Sequence, residues 1–158
     1  MFKEFKQAMI GEFEMMDNGL ISWFLGIEVM QSKEDIFISQ DAYVNGILKR
    51  FKMEDYKLVC TSVECETKLS KHDDRVTVDP TYFKSLVESL RYLICTRSDI
   101  LYGVGLISLF MKEPRSTHLK VAKRIMHYIK GSLNHELFYS ISNKFCLIGY
   151  SDNDWMEI

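Results

Sequence analysis

Only two prolines occur in this chain of 158 residues, Pro80 and Pro114, and they frame its most regular stretch. Proline fixes φ and offers no backbone N–H, so each marks a place where a helix starts or stops rather than continues. Pro80 follows Asp79 and sits well at a first helical position. From there Tyr82, Phe83, Leu86, Val87, Leu90, Leu93 and Ile94 fall on one helical arc, opposite Lys84, Glu88 and Arg91. A second helix is predicted over about 99–112, capped by Ser98. It is apolar nearly all round and so expected to be buried, and Pro114 ends it. A third is predicted over 116–130, stopped by Gly131.

The N-terminal half has mixed periodicity. Phe2, Phe5, Met9 and Phe13 recur at helical spacing, which predicts an amphipathic helix over 2–16, ended by Asp17-Asn18-Gly19 with Gly19 in a left-handed cap. Two β-like runs follow at 22–31 and 36–39, separated by the polar 32–35, and predict a hairpin. Gly26 lies inside the first run, where glycine marks a bulge or a close approach of another backbone or ligand. Ser39 is the expected cap of a helix carrying Tyr43, Ile47, Leu48 and Phe51. Residues 54–79 are polar and aperiodic and read as a connecting segment. Runs at 136–140 and 145–150 predict strands. The class is α+β, with helices grouped in the second half.

Apolar residues make up 47% of the chain and aromatics 13%, which argues against a disordered tail. A formal net charge of −2 means that any nucleic-acid site must be a local patch. No apolar run is long enough to span a membrane, and the N-terminus is too charged for a signal peptide. An intracellular setting, cytoplasmic or nuclear, is expected. Cys60, Cys65, Cys95 and Cys146 are scattered; His72 follows the first two without a second ligand pair, so reduced thiols are expected and no structural zinc.

The third helix carries the clearest charge pattern. Residues 112–130 hold six Lys or Arg (Lys112, Arg115, Lys120, Lys123, Arg124, Lys130) against one acid, Glu113. On the helical wheel Leu119, Ala122, Ile125, Met126 and Ile129 form the apolar arc, while Lys120, Lys123, Arg124, His127 and Lys130 gather elsewhere. Such a stripe suits a phosphate backbone, and equally a solvated face. Near the C-terminus Asp152 and Asp154 end a β-like run; carboxylates at a strand end can help to hold Mg²⁺, but a two-metal site needs several more.

Five blocks, in order, resemble the reverse transcriptase of copia-type LTR retrotransposons, over nearly the whole chain. Phe13-Glu14-Met15, Asp17, Gly19 and Phe24-Leu25-Gly26-Ile27-Glu28-Val29 are similar to the family's FEM-x-D-x-G and YFLGIEV. Ile36-Phe37-Ile38-Ser39-Gln40 with Tyr43, Leu48 and Lys49 follows its IFISQ pattern. Val78-Asp79-Pro80-Thr81, Ser85-Leu86-Val87, Ser89-Leu90, Tyr92-Leu93 and Thr96-Arg97 with Asp99-Ile100 resemble its VDPT and TRPDI block. His118, Ala122-Lys123-Arg124-Ile125, Tyr128 and Lys130-Gly131 resemble H and AAKRILRYLKG. Gly149-Tyr150-Ser151-Asp152 with Asp154-Trp155 resembles GYSDADW.

The resemblance implies four regions. Residues 1–53 would be the end of the palm with its primer-grip hairpin, 54–79 a connecting segment, 80–131 a helical thumb and connection, and 132–158 the first strands of a truncated RNase H-like domain. It implies that Phe24, Leu25 and Gly26 contact nucleic acid at the primer grip. It also implies that Lys120, Lys123, Arg124 and Lys130 contact the backbone of an RNA/DNA template-primer, weakly and without sequence preference. Asp152 matches the first RNase H carboxylate, without its partners. The polymerase aspartates of the Tyr-x-Asp-Asp turn are absent. The fragment is therefore expected to need no cofactor and to be inactive alone, whereas the intact enzyme uses Mg²⁺. The missing palm of the same polyprotein is a further expected partner. Departures from the pattern at Leu58, Ser62, Glu88, Ser98, Leu109 and residues 156–158 point to a decayed copy. The alternative reading is a non-enzymatic remnant that acts as an interaction protein or has no function.

Overall fold

The computed structural model describes residues 2–14, 19–54, 57–64, 69–70, 76–133, 135 and 137–140. Among them are five α-helices and one four-stranded antiparallel sheet, the α+β class expected. The strand predicted at 145–150 and the carboxylate Asp152 lie outside the described residues.

Helix α1 spans Phe2–Glu12, shorter than the 2–16 expected. Gly19 is left-handed, with φ +73°, but it lies well beyond Glu12 and does not cap α1 as expected. The next run was expected to form one strand with an internal glycine. It folds back on itself instead: β1 (Trp23–Phe24) pairs with β2 (Ile27–Gln31), Phe24 facing Ile27. Leu25 and Gly26 are the two-residue loop between them, with φ +49° and +78°. Positive φ at both positions matches the right-handed twist of the flanking strands, as in a type I′ hairpin turn.

Strand β3 (Asp35–Ser39) pairs with β2, so the expected hairpin between the two runs is present. Ser32 shapes its connection: the Ser32 hydroxyl accepts from the Asp35 N–H at 2.8 Å. Strand β4 (Leu137–Ser140) pairs with the far side of β3, placing Phe138 opposite Phe37 with ring centroids 5.0 Å apart. The sheet thus joins residues 23–39 with residues 137–140.

Helix α2 (Asp41–Arg50) is not capped by Ser39, which is the last residue of β3; Gln40 stands at the N-cap without a side-chain cap bond. The Glu28 carboxylate, reaching from β2, accepts from the Ala42 N–H at 2.9 Å and serves that first turn. Burial, then the neighbouring Glu28, raises the Asp41 carboxyl above its ordinary range.

Helix α3 (Pro80–Leu93) begins as its sequence dictates, with the Asp79 carboxylate accepting from the Thr81 N–H at 2.9 Å and proline at the helix start. Ser98 does not cap the next helix. It opens a 3-10 turn (Ser98–Ile100), and α4 follows over Leu101–Ser108. Nor is α4 wholly buried: Gly103, Val104 and Ile107 face inward while Leu101 and Tyr102 are exposed. Helix α5 (Ser116–Gly131) includes Gly131 rather than stopping before it, and Ser132 is its C-cap.

The core is helical. Val44, Ile47 and Leu48 of α2 meet Phe83, Leu86, Leu90 and Leu93 of α3, Val104 and Ile107 of α4, and Ala122, Ile125, Met126 and Ile129 of α5. Nearly every α3 residue on the predicted arc is buried; Tyr82 alone among them reaches the exposed class.

Candidate nucleic-acid interface

The hairpin tip projects apolar side chains into solvent: Trp23 and Phe24 are more than half exposed and Leu25 is 72% exposed. Beneath it sits α3. A Cβ placed on Gly26 would lie 3.1 Å from the Tyr92 hydroxyl oxygen, so this glycine is both the left-handed residue of the turn and a point of close approach. Tyr92 is held in turn by an edge-on ring contact with Tyr43, centroids 4.7 Å apart. The Tyr43 hydroxyl donates to the Ser89 carbonyl, and burial raises it above its ordinary range. Tyr92 is therefore the side chain that meets the tip, a role with no local signal in the sequence.

The basic stripe on α5 is less open than the wheel suggests. Lys120 is exposed, whereas Lys123, Arg124, His127 and Lys130 are half-buried. Residues of the connecting segment engage two of them, Arg124 and Lys130. Arg124 donates to the Glu64 carboxylate at 2.7 Å and to the Thr61 hydroxyl at 3.0 Å. Lys130 donates to the Glu54 carbonyl. Burial, then Lys123, Lys130 and Arg124, lowers His127 below the usual imidazole range, so the crowded cations favour its neutral form. A groove of about 520 Å³ runs between this segment and the helix, lined by Val59, Leu69, Leu119, Lys120, Lys123 and His127 among others.

At the start of α5, His118 is fully buried and stacked on Phe110, centroids 3.9 Å apart. Its Nδ1 accepts from the Arg115 N–H at 2.9 Å, which leaves the proton on Nε2, 3.2 Å from the Ser70 carbonyl. At the other end, Arg97 is buried between elements. It donates to both Asp99 carboxylate oxygens, at 3.0 and 2.7 Å, and to the carbonyl and hydroxyl of Ser132. Buried Thr96 donates to the Gln40 side chain at 2.7 Å. The Thr96-Arg97-x-Asp99 motif and His118 hold helices and segment together, work for the fold rather than for chemistry.

Asp152, the one expected catalytic carboxylate, lies outside the described residues. Within those residues no group of three or more His, Cys, Asp or Glu converges where a metal ion could sit. Cys60 and Cys95 are exposed free thiols. Among the described residues no helix is long and apolar enough to cross a membrane.

Residues 1–65, which include the hairpin, match the family Reverse transcriptase (RNA-dependent DNA polymerase). The chain is 38% identical over 143 residues to the retrovirus-related Pol polyprotein from transposon RE1 of Arabidopsis thaliana, covering 90% of this chain and 10% of that polyprotein. It is 32% identical over 155 residues to the Pol polyprotein from transposon RE2 of the same plant, covering 98% and 11%. The Pol polyprotein from transposon TNT 1-94 of Nicotiana tabacum is 32% identical over 151 residues, covering 90% and 11%. No solved structure matches the chain. The chain spans about a tenth of the length of these Pol polyproteins. With the ordered blocks of its sequence and these matches, the chain belongs to the copia-type retrotransposon Pol family, as a segment of its reverse transcriptase.

Proposed function

We propose that this segment is the primer-grip and thumb-like part of the polymerase and holds a template-primer duplex without supplying the catalytic aspartates. The observation that carries the reading is the β1–β2 tip, where Trp23, Phe24 and Leu25 stand exposed on a tight turn within the region that matches reverse transcriptases. Exposed rings on a rigid turn suit sugar and base edges, and the backbone at Gly26 has no side chain to keep a strand away. On this reading Lys120 and Lys123 of α5 meet phosphates, together with Arg124 and Lys130 where those are available.

The test is fluorescence anisotropy of a labelled RNA–DNA hybrid over a series of salt concentrations. Each phosphate contact on a B-form duplex adds about −0.9 to the slope of log K against log salt. Lys120→Ala with Lys123→Ala should flatten the slope by up to about two such contacts and weaken all sequences alike. Unchanged binding by the double variant would remove α5 from the interface. The same protein should extend no primer with Mg²⁺ or Mn²⁺, and Asp152→Asn should leave any background cleavage of the hybrid unaltered. A second reading, a protein-binding segment, draws on the uncovered apolar side chains of α1 and β1. Their natural cover would be the palm of the same polyprotein.

A further inference from the structure

We infer that the described residues between Glu54 and Thr77 form a strap on α5 that competes with nucleic acid for Arg124 and Lys130, so that these two cations reach a duplex only where the strap yields. This rests on the proposed role of α5 and adds a regulator to it.

The contacts of the segment occur in reverse order along the helix. Glu54 meets Lys130, Thr61 and Glu64 meet Arg124, Ser70 meets His118, and Thr77 bridges to Arg115. The described residues of the segment therefore follow α5 in the antiparallel sense. Its far end is fixed by backbone bonds, Val78 N–H to the Pro114 carbonyl at 3.1 Å and Ser116 N–H to the Val76 carbonyl at 3.0 Å. Near its middle Val63 fills a notch in α4, since a Cβ on Gly103 would lie 2.8 Å from a Val63 methyl. Charge matches along the same path. Residues 54–79 hold seven Asp or Glu against four Lys or Arg, while 112–130 hold six basic residues against one acid.

At Arg124 the competition is chemical. Glu64 presents a carboxylate oxygen at 2.7 Å, and the Thr61 hydroxyl takes a second N–H of the same guanidinium. A phosphate would offer the same oxygens to the same fork. The Glu64 side chain is 53% exposed, so its pair with Arg124 is weak enough for a polyanion to replace.

The experiment is a double-mutant cycle on the full chain, using the labelled hybrid as probe. Glu64→Gln should bind the hybrid about two- to fivefold more tightly than the natural chain, the range of an exposed ion pair. In an Arg124→Ala background the same substitution should have no effect, because Glu64 acts through Arg124. Glu34→Gln, on the β2–β3 connection, controls for the simple loss of one negative charge and should bind as the natural chain does. An equal gain from Glu64→Gln with and without Arg124, or from Glu34→Gln, would overturn the strap. So would an unchanged affinity of Glu64→Gln while Lys120→Ala/Lys123→Ala weakens binding; the functional reading would then survive alone. If no variant binds the hybrid, the functional reading fails, and heparin as a generic polyanion judges the strap separately. Equal heparin affinity of Glu64→Gln and the natural chain would then sink it.

Discussion

Leu25 and Gly26 carry adjacent positive φ angles, but only one of them is suited to it. A side chain in the left-handed region costs about 1–2 kcal/mol, and asparagine tolerates it better than leucine. Leu25 is largely exposed, so little packing is lost with its side chain. Leu25→Asn is expected to stabilise the chain by about 0.5–1 kcal/mol, read from urea unfolding. Gly26→Ala should do the reverse, by about 1–2 kcal/mol, because a Cβ there is both left-handed and pressed on Tyr92. Equal stability of Gly26→Ala and the natural chain would mean that the turn opens in solution. This turn was not legible in the sequence: a Leu-Gly pair inside an apolar run lacks the Asn-Gly signature of a tight hairpin, so the run reads as one strand.

Among the elements, the 3-10 turn at Ser98–Ile100 is tied to the end of α5 by Arg97. The buried guanidinium joins Asp99 to Ser132 and lies over the Tyr128 ring. Arg97→Leu is expected to cost about 2–3 kcal/mol, since it leaves the Ser132 carbonyl and Asp99 without their donor. Arg97→Lys should recover little of that, because an ammonium cannot reach both partners in the planar fork. Burial alone would raise Asp99, but hydrogen bonds from Arg97 and Tyr128, with the Arg97 charge, outweigh it and lower the carboxyl below its ordinary range. A depressed folded value contributes stability above the unfolded one, and that part disappears as pH falls through the folded value. The natural chain should therefore lose stability relative to Asp99→Asn as pH drops below the ordinary aspartate range, and parallel acid limbs would contradict this. Elements with local signals were legible. The Asp79-Pro80 start and the inward arc of α3 follow from spacing alone. The α5 stripe was legible as a charge pattern and not as a covered face, because Glu64 and Arg124 meet across sixty residues of sequence.

Over the whole molecule, the buried apolar cluster begins at Val44 and ends at Ile129. Among the described residues none of its members comes from α1 or the sheet: Ile27, Val29, Ile36, Phe37 and Ile38 of the sheet are half-buried, and other apolar side chains of this half are exposed. Phe5 is 62% exposed and Phe13 56%, and Leu20, Ile21, Trp23 and Phe24 are likewise uncovered. The sheet is linked to the helices through polar and edge contacts, such as Glu28 with the α2 start and Gly26 with Tyr92, rather than through a shared apolar interior. Exposed apolar surface of this kind drives association when nothing else covers it. The isolated chain is expected to self-associate at tens of micromolar, about the range reached by modest interfaces, in sedimentation velocity. Phe5→Glu with Phe13→Glu should restore the monomer. Because neither residue belongs to the helical core, the double variant should unfold within about 0.5 kcal/mol of the natural chain. Two results would count against this division of the molecule. A chain that stays monomeric at every concentration has no sticky face to cover. A double variant that loses more than about 1 kcal/mol has lost packing rather than surface, and α1 then belongs to the core in solution.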